Sequence, residues 1–184
     1  MLAPLRLAAA DVENISVKRW LELANISKDR AIYGVLSMTR FKDEIYVVNS
    51  ETGWIPKPGS VLPRVNVPRG FVTDLASIPR VFFSLFRPDG QYAHAAVVHD
   101  WLYWNQSTSR AIADEIFNLA MIDLSVSTIE RRALFEAVAR FGEESWSENS
   151  RLRLSGERRV LGIFPDYPLM TLGEWKNKAG VFAE

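Results

Sequence analysis

The chain has 184 residues, of which 48% are hydrophobic and 24% are charged, a composition typical of a folded globular domain rather than a disordered chain. Lysine and arginine balance aspartate and glutamate, so the net charge of zero gives no general attraction to nucleic acid or to an anionic membrane. The absence of cysteine excludes disulfides and thiolate metal sites, and the presence of only two histidines disfavours structural zinc.

The start of the chain is expected to form an arm outside the main domain. Its opening segment, MLAPLRLAAADV, is interrupted by Pro4 and Arg6 and is too short for the core of a signal peptide or for a membrane span. Residues 11–25 place hydrophobic side chains near helical spacing after Asp11, which can cap a helix. The sequence therefore predicts a short amphipathic helix here, and neither a signal peptide nor a membrane span.

Residues 31–73 carry the pattern of β-strands. The segments AIYGVLS, EIYVV and SVLPRVNV are rich in β-branched and aromatic residues and are separated by glycine and proline. A turn at Gly70 leads into Phe71–Thr73, and Asp74 follows at the end of that strand. This half of the chain predicts a small antiparallel sheet, with Asp74 placed where a rigid strand meets solvent.

The second half of the chain predicts three helices. The first is QYAHAAVVHDWLYW, which contains no helix breaker. The second begins near Ser109, whose hydroxyl can cap it, and ends at about Leu124. The third opens with a capping-box pattern from Ser127 to Glu130 and continues to about Trp146. The fold class that follows is α+β, in which a small antiparallel sheet packs against about three helices.

Polar residues that suit a functional site occur close together in the sequence: Asp74, His99, Asp100 and Asp114. Carboxylates and neutral imidazole are ligands of divalent cations, and they are also common general bases. These four side chains are therefore predicted to hold a hard cation such as Mg, Mn or Ca and to support metal-assisted hydrolysis. His99 and Asp100 point about 100° apart on a helix, so both line one pocket only if it wraps around the helix.

Each of these residues also has a structural explanation. Asp74 can cap the turn that follows it, and His99 can be a hydrogen-bonded core residue. Asp100 or Asp114 can pair with Arg80 or Arg110 in a half-buried structural network. The sequence leaves both interpretations open, together with ligand binding without turnover.

Three motifs occur in a fixed order: GFVTDLASIPR, AAVVHDWLY and SRAIADEIFNLAM, followed by a helix that ends RFGEESW. In this combination the chain resembles the domain-of-unknown-function family 1353 of tailed phages and prophages, over about residues 39–146. The resemblance implies a phage or prophage origin and a small α+β domain, and it brings no established activity. The recurring positions of the family correspond here to Thr73, Asp74, Ser77, Pro79, Arg80, His99, Asp100, Tyr103, Arg110, Asp114 and Phe117. The residues expected to support the site are Thr73, Ser77, Arg80, Tyr103 and Arg110.

The HDWLY segment also resembles parts of two enzyme families. It is similar to the His-Asp-x-x-Tyr helix of secreted phospholipase A2, in which the histidine is the base and the aspartate binds calcium. The glycine-rich calcium loop and the disulfides of that family are absent here. AAVVHD is similar to the His-Asp signature of the HD phosphohydrolases, whose metal site uses a histidine from an earlier helix, whereas His94 lies on the same predicted helix as His99. Both similarities point towards hydrolysis.

The chain is therefore divided into an N-terminal arm (1–38), a core domain (39–146) and an extended C-terminal arm (147–184). We expect a tail-associated or other virion protein, in the virion or the host cytoplasm, whose His-Asp site uses a divalent cation for hydrolysis. The alternative is a non-catalytic virion structural or assembly protein whose polar cluster is a network of hydrogen bonds and ion pairs. The expected partners are other phage structural proteins, bound through both arms. The basic run Arg151–Arg159 is interpreted as solvated surface and not as a nucleic-acid site.

Overall fold

The computed structural model describes residues 31–75, 91–165 and 169–183. Within these ranges the strands lie in the first half of the chain and the helices in the second half, so the predicted α+β class is confirmed. The amphipathic helix predicted at residues 11–25 lies outside the described residues, as do Ser77 and Arg80. In the same ranges, no helix combines the length and the hydrophobicity needed to cross a membrane.

The described part of the chain contains two small antiparallel sheets, where the sequence predicted one. The strands are β1 (Ile32–Tyr33), β2 (Met38–Arg40), β3 (Tyr46–Val48), β4 (Thr52–Trp54), β5 (Val65–Val67) and β6 (Val72–Thr73). Their order is β1-β4-β5 in the first sheet and β2-β3-β6 in the second. The short connection from β3 to β4 therefore crosses between sheets. Alternation along the sequence marks the strands but does not specify which strands pair, because pairing depends on contacts between distant segments.

The helices are α1 (Ala93–Asn105), α2 (Arg110–Asp123), α3 (Thr128–Leu154) and α4 (Leu172–Lys176). The side chain of Ser109 caps α2 by accepting a hydrogen bond from the backbone N–H of Ile112. Ser127 caps α3 in the same way, accepting from the N–H of Glu130. Both predicted helix starts are thus confirmed.

Helix α3 is longer than the sequence predicted. Its expected end was Trp146, but it continues to Leu154. No proline interrupts this extension, and Arg151 forms an ion pair with Glu148 on its surface (Nη2 to Oε1, 2.5 Å). The helix ends just before Gly156, which has a φ of +86° and so provides the left-handed residue that commonly follows a helix. Residues 147–154, predicted to be part of an extended arm, are therefore helical.

Helix α1 lies at the centre of the described part of the chain. It packs against α2, against α3 and against strands from both sheets. Of its 13 residues, 11 are buried, including the polar side chains of His94, His99 and Asp100. A polar group that is removed from water must find its hydrogen bonds inside the protein, so the surroundings of α1 determine what these three side chains do.

The C-terminal segment packs onto the second sheet instead of extending away from it. The N–H of Leu161 donates to the carbonyl of Gly70, and the N–H of Val72 donates to the carbonyl of Arg159, both at 2.8 Å. Gly70 has a φ of +91°, and a side chain there would collide with the carbonyl of Leu161. Leu161 and Trp175 enter a second hydrophobic cluster together with residues of the sheet. The predicted extended arm is wrong for these residues, because their hydrophobic side chains are buried rather than left in water.

Candidate functional site

Helix α1 presents two adjacent polar residues to different elements. His99 contacts Asp114 on α2, whereas Asp100 contacts Thr73 at the end of β6. This divergence follows from helix geometry, in which neighbouring side chains are about 100° apart. The His-Asp pair of the sequence therefore contributes to two separate polar contacts.

Asp114 is the centre of the first contact. Its Oδ1 lies 2.8 Å from Nε2 of His99 and accepts a hydrogen bond of 2.7 Å from the hydroxyl of Tyr103. Its Oδ2 accepts from Nη1 of Arg110 at 3.2 Å. His99 and Tyr103 are one turn apart on α1, and Arg110 and Asp114 are one turn apart on α2, so each helix presents two partners on one face. The two facing helices thus surround the carboxylate with donors.

The histidine ring is held on its faces as well as at its edge. His99 and Tyr103 are fully buried, and Asp114 is 5% exposed. The ring of His99 lies against the rings of Tyr103 and Phe117, with centroids 4.1 and 4.7 Å away. Aromatic contact together with one hydrogen bond fixes the orientation of the imidazole.

The hydrogen bonds assign the protons. Burial raises the pKa of Tyr103, and its hydrogen bond to Asp114 raises this pKa further, so the phenol remains a donor. An ionised carboxylate only accepts, so His99 donates its Nε2–H to Asp114. In the neutral ring, Nδ1 then carries the lone pair. Among the described residues, this buried Nδ1 has no hydrogen-bond partner.

Helix α3 supports the partners of Asp114, a contribution that the sequence analysis missed. Arg110 pairs through Nε with Oε2 of Glu143 at 3.0 Å and donates from Nη1 to the carbonyl of Ala139 at 3.4 Å. The ring of Tyr103 packs edge-on against Trp146, with centroids 5.2 Å apart. The signal that was available is the RFGEESW segment, which places Glu143 and Trp146 on one face of a helix.

The second contact joins α1 to the end of β6. The hydroxyl of Thr73 donates to Oδ2 of Asp100 and accepts from the N–H of Leu75 at 3.0 Å. Leu75 has a φ of +56°, in the left-handed region that a leucine adopts only with strain. Asp100 is 5% exposed, so its carboxylate depends on partners such as this hydroxyl.

Asp74 lies apart from both contacts. It is exposed and lines a cavity of about 190 Å³ together with residues such as Val72, Arg159 and Lys176. Successive residues of a strand point to opposite faces, which places Thr73 towards α1 and its two neighbours towards this cavity. The prediction that a rigid strand delivers Asp74 to solvent is confirmed.

The four predicted site residues therefore occupy three different surroundings. Within residues 31–75, 91–165 and 169–183, no three histidine, aspartate or glutamate side chains are grouped so that they could hold a metal ion. The cation site stays a prediction, and the described residues do not provide a set of ligands for it. Two of the polar contacts in the described part of the chain are the one around Asp114 and the one between Thr73 and Asp100.

The second histidine of the chain is engaged differently. Nε2 of His94 contacts the hydroxyl of Thr52, which itself donates to the carbonyl of Tyr33 at 2.8 Å. The hydroxyl has used its hydrogen and so accepts from His94. Burial lowers the pKa of His94 to about 4, so this ring is neutral at physiological pH.

Residues 57–138 match the family described as "Protein of unknown function (DUF1353)". The matched range includes both Asp114 and its partners from α1 and α2, and it also includes Thr73 and Asp100. The family resemblance inferred from the three motifs is thus confirmed over this range, which is a little under half of the chain. No curated protein and no solved structure matches the chain.

Proposed function

We propose that the chain is a phage or prophage protein with a hydrolytic site in which His99 acts as a general base through Nδ1. The proposal is carried by Nδ1 of His99, which has no hydrogen-bond partner within the described ranges, while the other nitrogen of the ring is held by the buried carboxylate of Asp114. The phage origin rests on the family resemblance of the motifs.

A carboxylate that holds one imidazole nitrogen orients the ring and stabilises the imidazolium formed when the other nitrogen takes a proton. In the proposed reaction, Nδ1 of His99 takes a proton from water, the hydroxide attacks a carbonyl or phosphoryl centre, and the proton passes to the leaving group. Tyr103 and Arg110 hold Asp114 in place through this cycle. The similarity of HDWLY to the helix of secreted phospholipase A2 implies the same role for the histidine.

The arrangement of the described residues does not support the metal-assisted form of this reaction. Asp100 accepts from Thr73, and its side chain points about 100° away from that of His99, which contacts Asp114. The chemistry proposed here therefore uses the histidine as the base, and a requirement for a cation is a separate outcome of the assays below.

The first test is chemical and needs no substrate. His99 is fully buried, so the proposal requires that the protein opens enough for a molecule to reach Nδ1. The chain has no cysteine, so the α-haloketone 4-bromophenacyl bromide meets no competing thiol. Treatment of the folded protein should alkylate His99 at Nδ1, as located by tandem mass spectrometry.

The matched variant for this test is Asp114→Asn, which loosens the hold on Nε2 and should allow alkylation at either nitrogen of His99. If the reagent modifies other nucleophiles of the folded protein but leaves His99 intact, a molecule of substrate size does not reach Nδ1 and the general-base function is wrong.

The second test measures turnover. Three probes cover the reaction classes: p-nitrophenyl butyrate, bis(p-nitrophenyl) phosphate and phosphatidylcholine vesicles, each with EDTA or with added Ca, Mg or Mn. Replacing a general base slows the reaction by about 100-fold or more, so His99→Gln should abolish the activity found. His94→Gln is the matched control and should retain the activity, since His94 contacts Thr52 in the first sheet and not Asp114. A rate that is unchanged in His99→Gln would contradict the proposal.

A non-catalytic virion structural or assembly function is favoured by a different observation. Asp114 is satisfied by partners from both α1 and α2, and the contacts continue through Arg110 to Glu143 on α3. Such a network ties three helices together without any chemistry. In this function, the terminal segments bind other phage structural proteins.

Experiments on purified phage particles distinguish between these two functions. We propose to search purified phage particles for the protein by mass spectrometry and to measure the infectivity of particles that carry His99→Gln. If the protein is present and the variant particles infect as well as wild type, the structural function is supported and the hydrolytic function is not.

A further inference from the structure

A glycine in the middle of α3 has no role in the contacts described so far. Gly142 is buried within a 27-residue helix. Glycine is unfavourable inside a helix because its backbone loses more conformational entropy than that of any other residue. Its place in the RFGEESW segment therefore calls for a compensating contact.

That contact is with Tyr103. A Cβ atom built on Gly142 would lie 3.2 Å from Cζ and 3.3 Å from Cε1 of the tyrosine. It would lie even closer to the hydroxyl oxygen, at a distance too short for non-bonded atoms. Trp146, one turn further along α3, covers the edge of the same ring. The missing side chain thus leaves a notch in α3 that receives the phenol.

The notch belongs to one face of the helix. Ala139, Gly142, Glu143 and Trp146 follow the spacing that places residues on a common face. The contacts of this face are with Tyr103 and Arg110, which are the two partners of Asp114 besides His99. Helix α3 therefore acts on the position of the carboxylate through Tyr103 and Arg110.

We propose that Gly142 is a positioning residue for the pair of His99 and Asp114. Because it has no side chain, the hydroxyl of Tyr103 reaches Oδ1 of Asp114, and the carboxylate is then fixed where it orients Nε2 of the imidazole. The catalytic meaning of this positioning rests on the proposed function, but the geometry itself does not.

The test uses the full chain labelled with ¹⁵N-histidine. Only two histidines give signals, and the His99→Gln variant assigns them. In wild type, His99 should show a protonated Nε2 and an unprotonated Nδ1. In Gly142→Ala the displaced hydroxyl should perturb both His99 signals and increase exchange of the Nε2–H with water by at least about tenfold, the effect expected from weakening one hydrogen bond to the carboxylate. The signals of His94 should not change.

The critical comparison is made without the hydroxyl. Tyr103→Phe removes the atom that clashes, so adding Gly142→Ala to Tyr103→Phe should cause little further change in exchange or chemical shift. Gly173→Ala is the matched control, because the nearest atom to a Cβ there is 3.9 Å away, and it should leave His99 as in wild type.

Several results would overturn the proposal. The proposal is wrong if Gly142→Ala leaves the His99 signals unaltered. It is also wrong if this substitution perturbs them equally with and without the Tyr103 hydroxyl. If Gly142→Ala does not fold, the double variant with Tyr103→Phe must fold, and failure of both contradicts the proposed clash. The proposed function is tested separately by alkylation. If the wild-type protein resists alkylation at His99 but shows the expected spectra, the general-base role of His99 is wrong and the positioning role of Gly142 is still supported.

Discussion

Nε2 of His99 and Oδ1 of Asp114 lie 2.8 Å apart in the buried contact between α1 and α2. The same oxygen accepts the hydroxyl of Tyr103, and the other oxygen accepts from Arg110. Both proposed functions depend on this carboxylate, because it either orients a base or ties helices together. The stability of the protein should therefore be sensitive to its charge.

Asp114→Asn keeps the shape of the side chain but removes the charge that its donors share. We expect the free energy of unfolding to fall by about 3 to 5 kcal/mol, because buried donors lose a charged acceptor. Urea denaturation measures the loss. Glu115→Gln changes the adjacent, exposed position of α2 and should stay within about 0.5 kcal/mol of wild type. Equal stability of the two variants would show that the network contributes little.

The stability of the fold should depend on pH through His94. Burial lowers the pKa of this histidine from 6.5 to about 4. As the pH falls below 6.5, the unfolded chain takes up a proton that the folded protein does not bind until the pH is near 4. The free energy of unfolding should therefore decrease over this window, by up to about 3 kcal/mol.

Urea denaturation at a series of pH values between neutrality and the onset of carboxylate titration measures this effect. In His94→Gln the curve of stability against pH should be flatter over the same window, since the titrating group is gone. A slope as steep as that of wild type would mean that other groups are responsible.

The hydroxyl of Thr73 should contribute to stability through two hydrogen bonds. Thr73→Val preserves the branched shape but leaves Asp100 without this donor and the N–H of Leu75 without this acceptor. We expect a loss of about 1 to 3 kcal/mol in the free energy of unfolding. Thr73→Ser keeps the hydroxyl and should recover most of this loss. If the serine variant is no more stable than the valine variant, the hydroxyl is not the stabilising group.

The C-terminal segment should unfold together with the rest of the molecule. Trp175 is 5% exposed, and its indole N–H donates to the carbonyl of Ile163 at 3.0 Å. Trp175→Ala should cost about 3 to 5 kcal/mol in one cooperative transition, because it removes a large buried side chain. Leu169→Ala, at a position 63% exposed, should have little effect. A separate early transition in the Trp175 variant would show that the segment is an independent arm.

Much of the local structure could be predicted from the sequence. The helix starts at Ser109 and Ser127 were correct because a cap depends on a hydroxyl and a backbone N–H only three residues apart. The pairing of Arg110 with Asp114 was among the interpretations considered, since residues one turn apart on a helix are neighbours. Asp74 at a strand end followed in the same way from local pattern.

The sequence by itself determined the α+β class and the helix starts, and it named the polar residues that are candidates for a site, because propensity, caps and periodicity act over a few neighbouring positions. Only the tertiary structure decided which of those residues meet. His99 joins Asp114 while Asp100 joins Thr73, and Gly142 makes room for Tyr103, because these contacts depend on how helices and strands pack. The division of the strands into two sheets and the burial of the C-terminal segment were decided in the same way, through contacts between residues far apart in the chain.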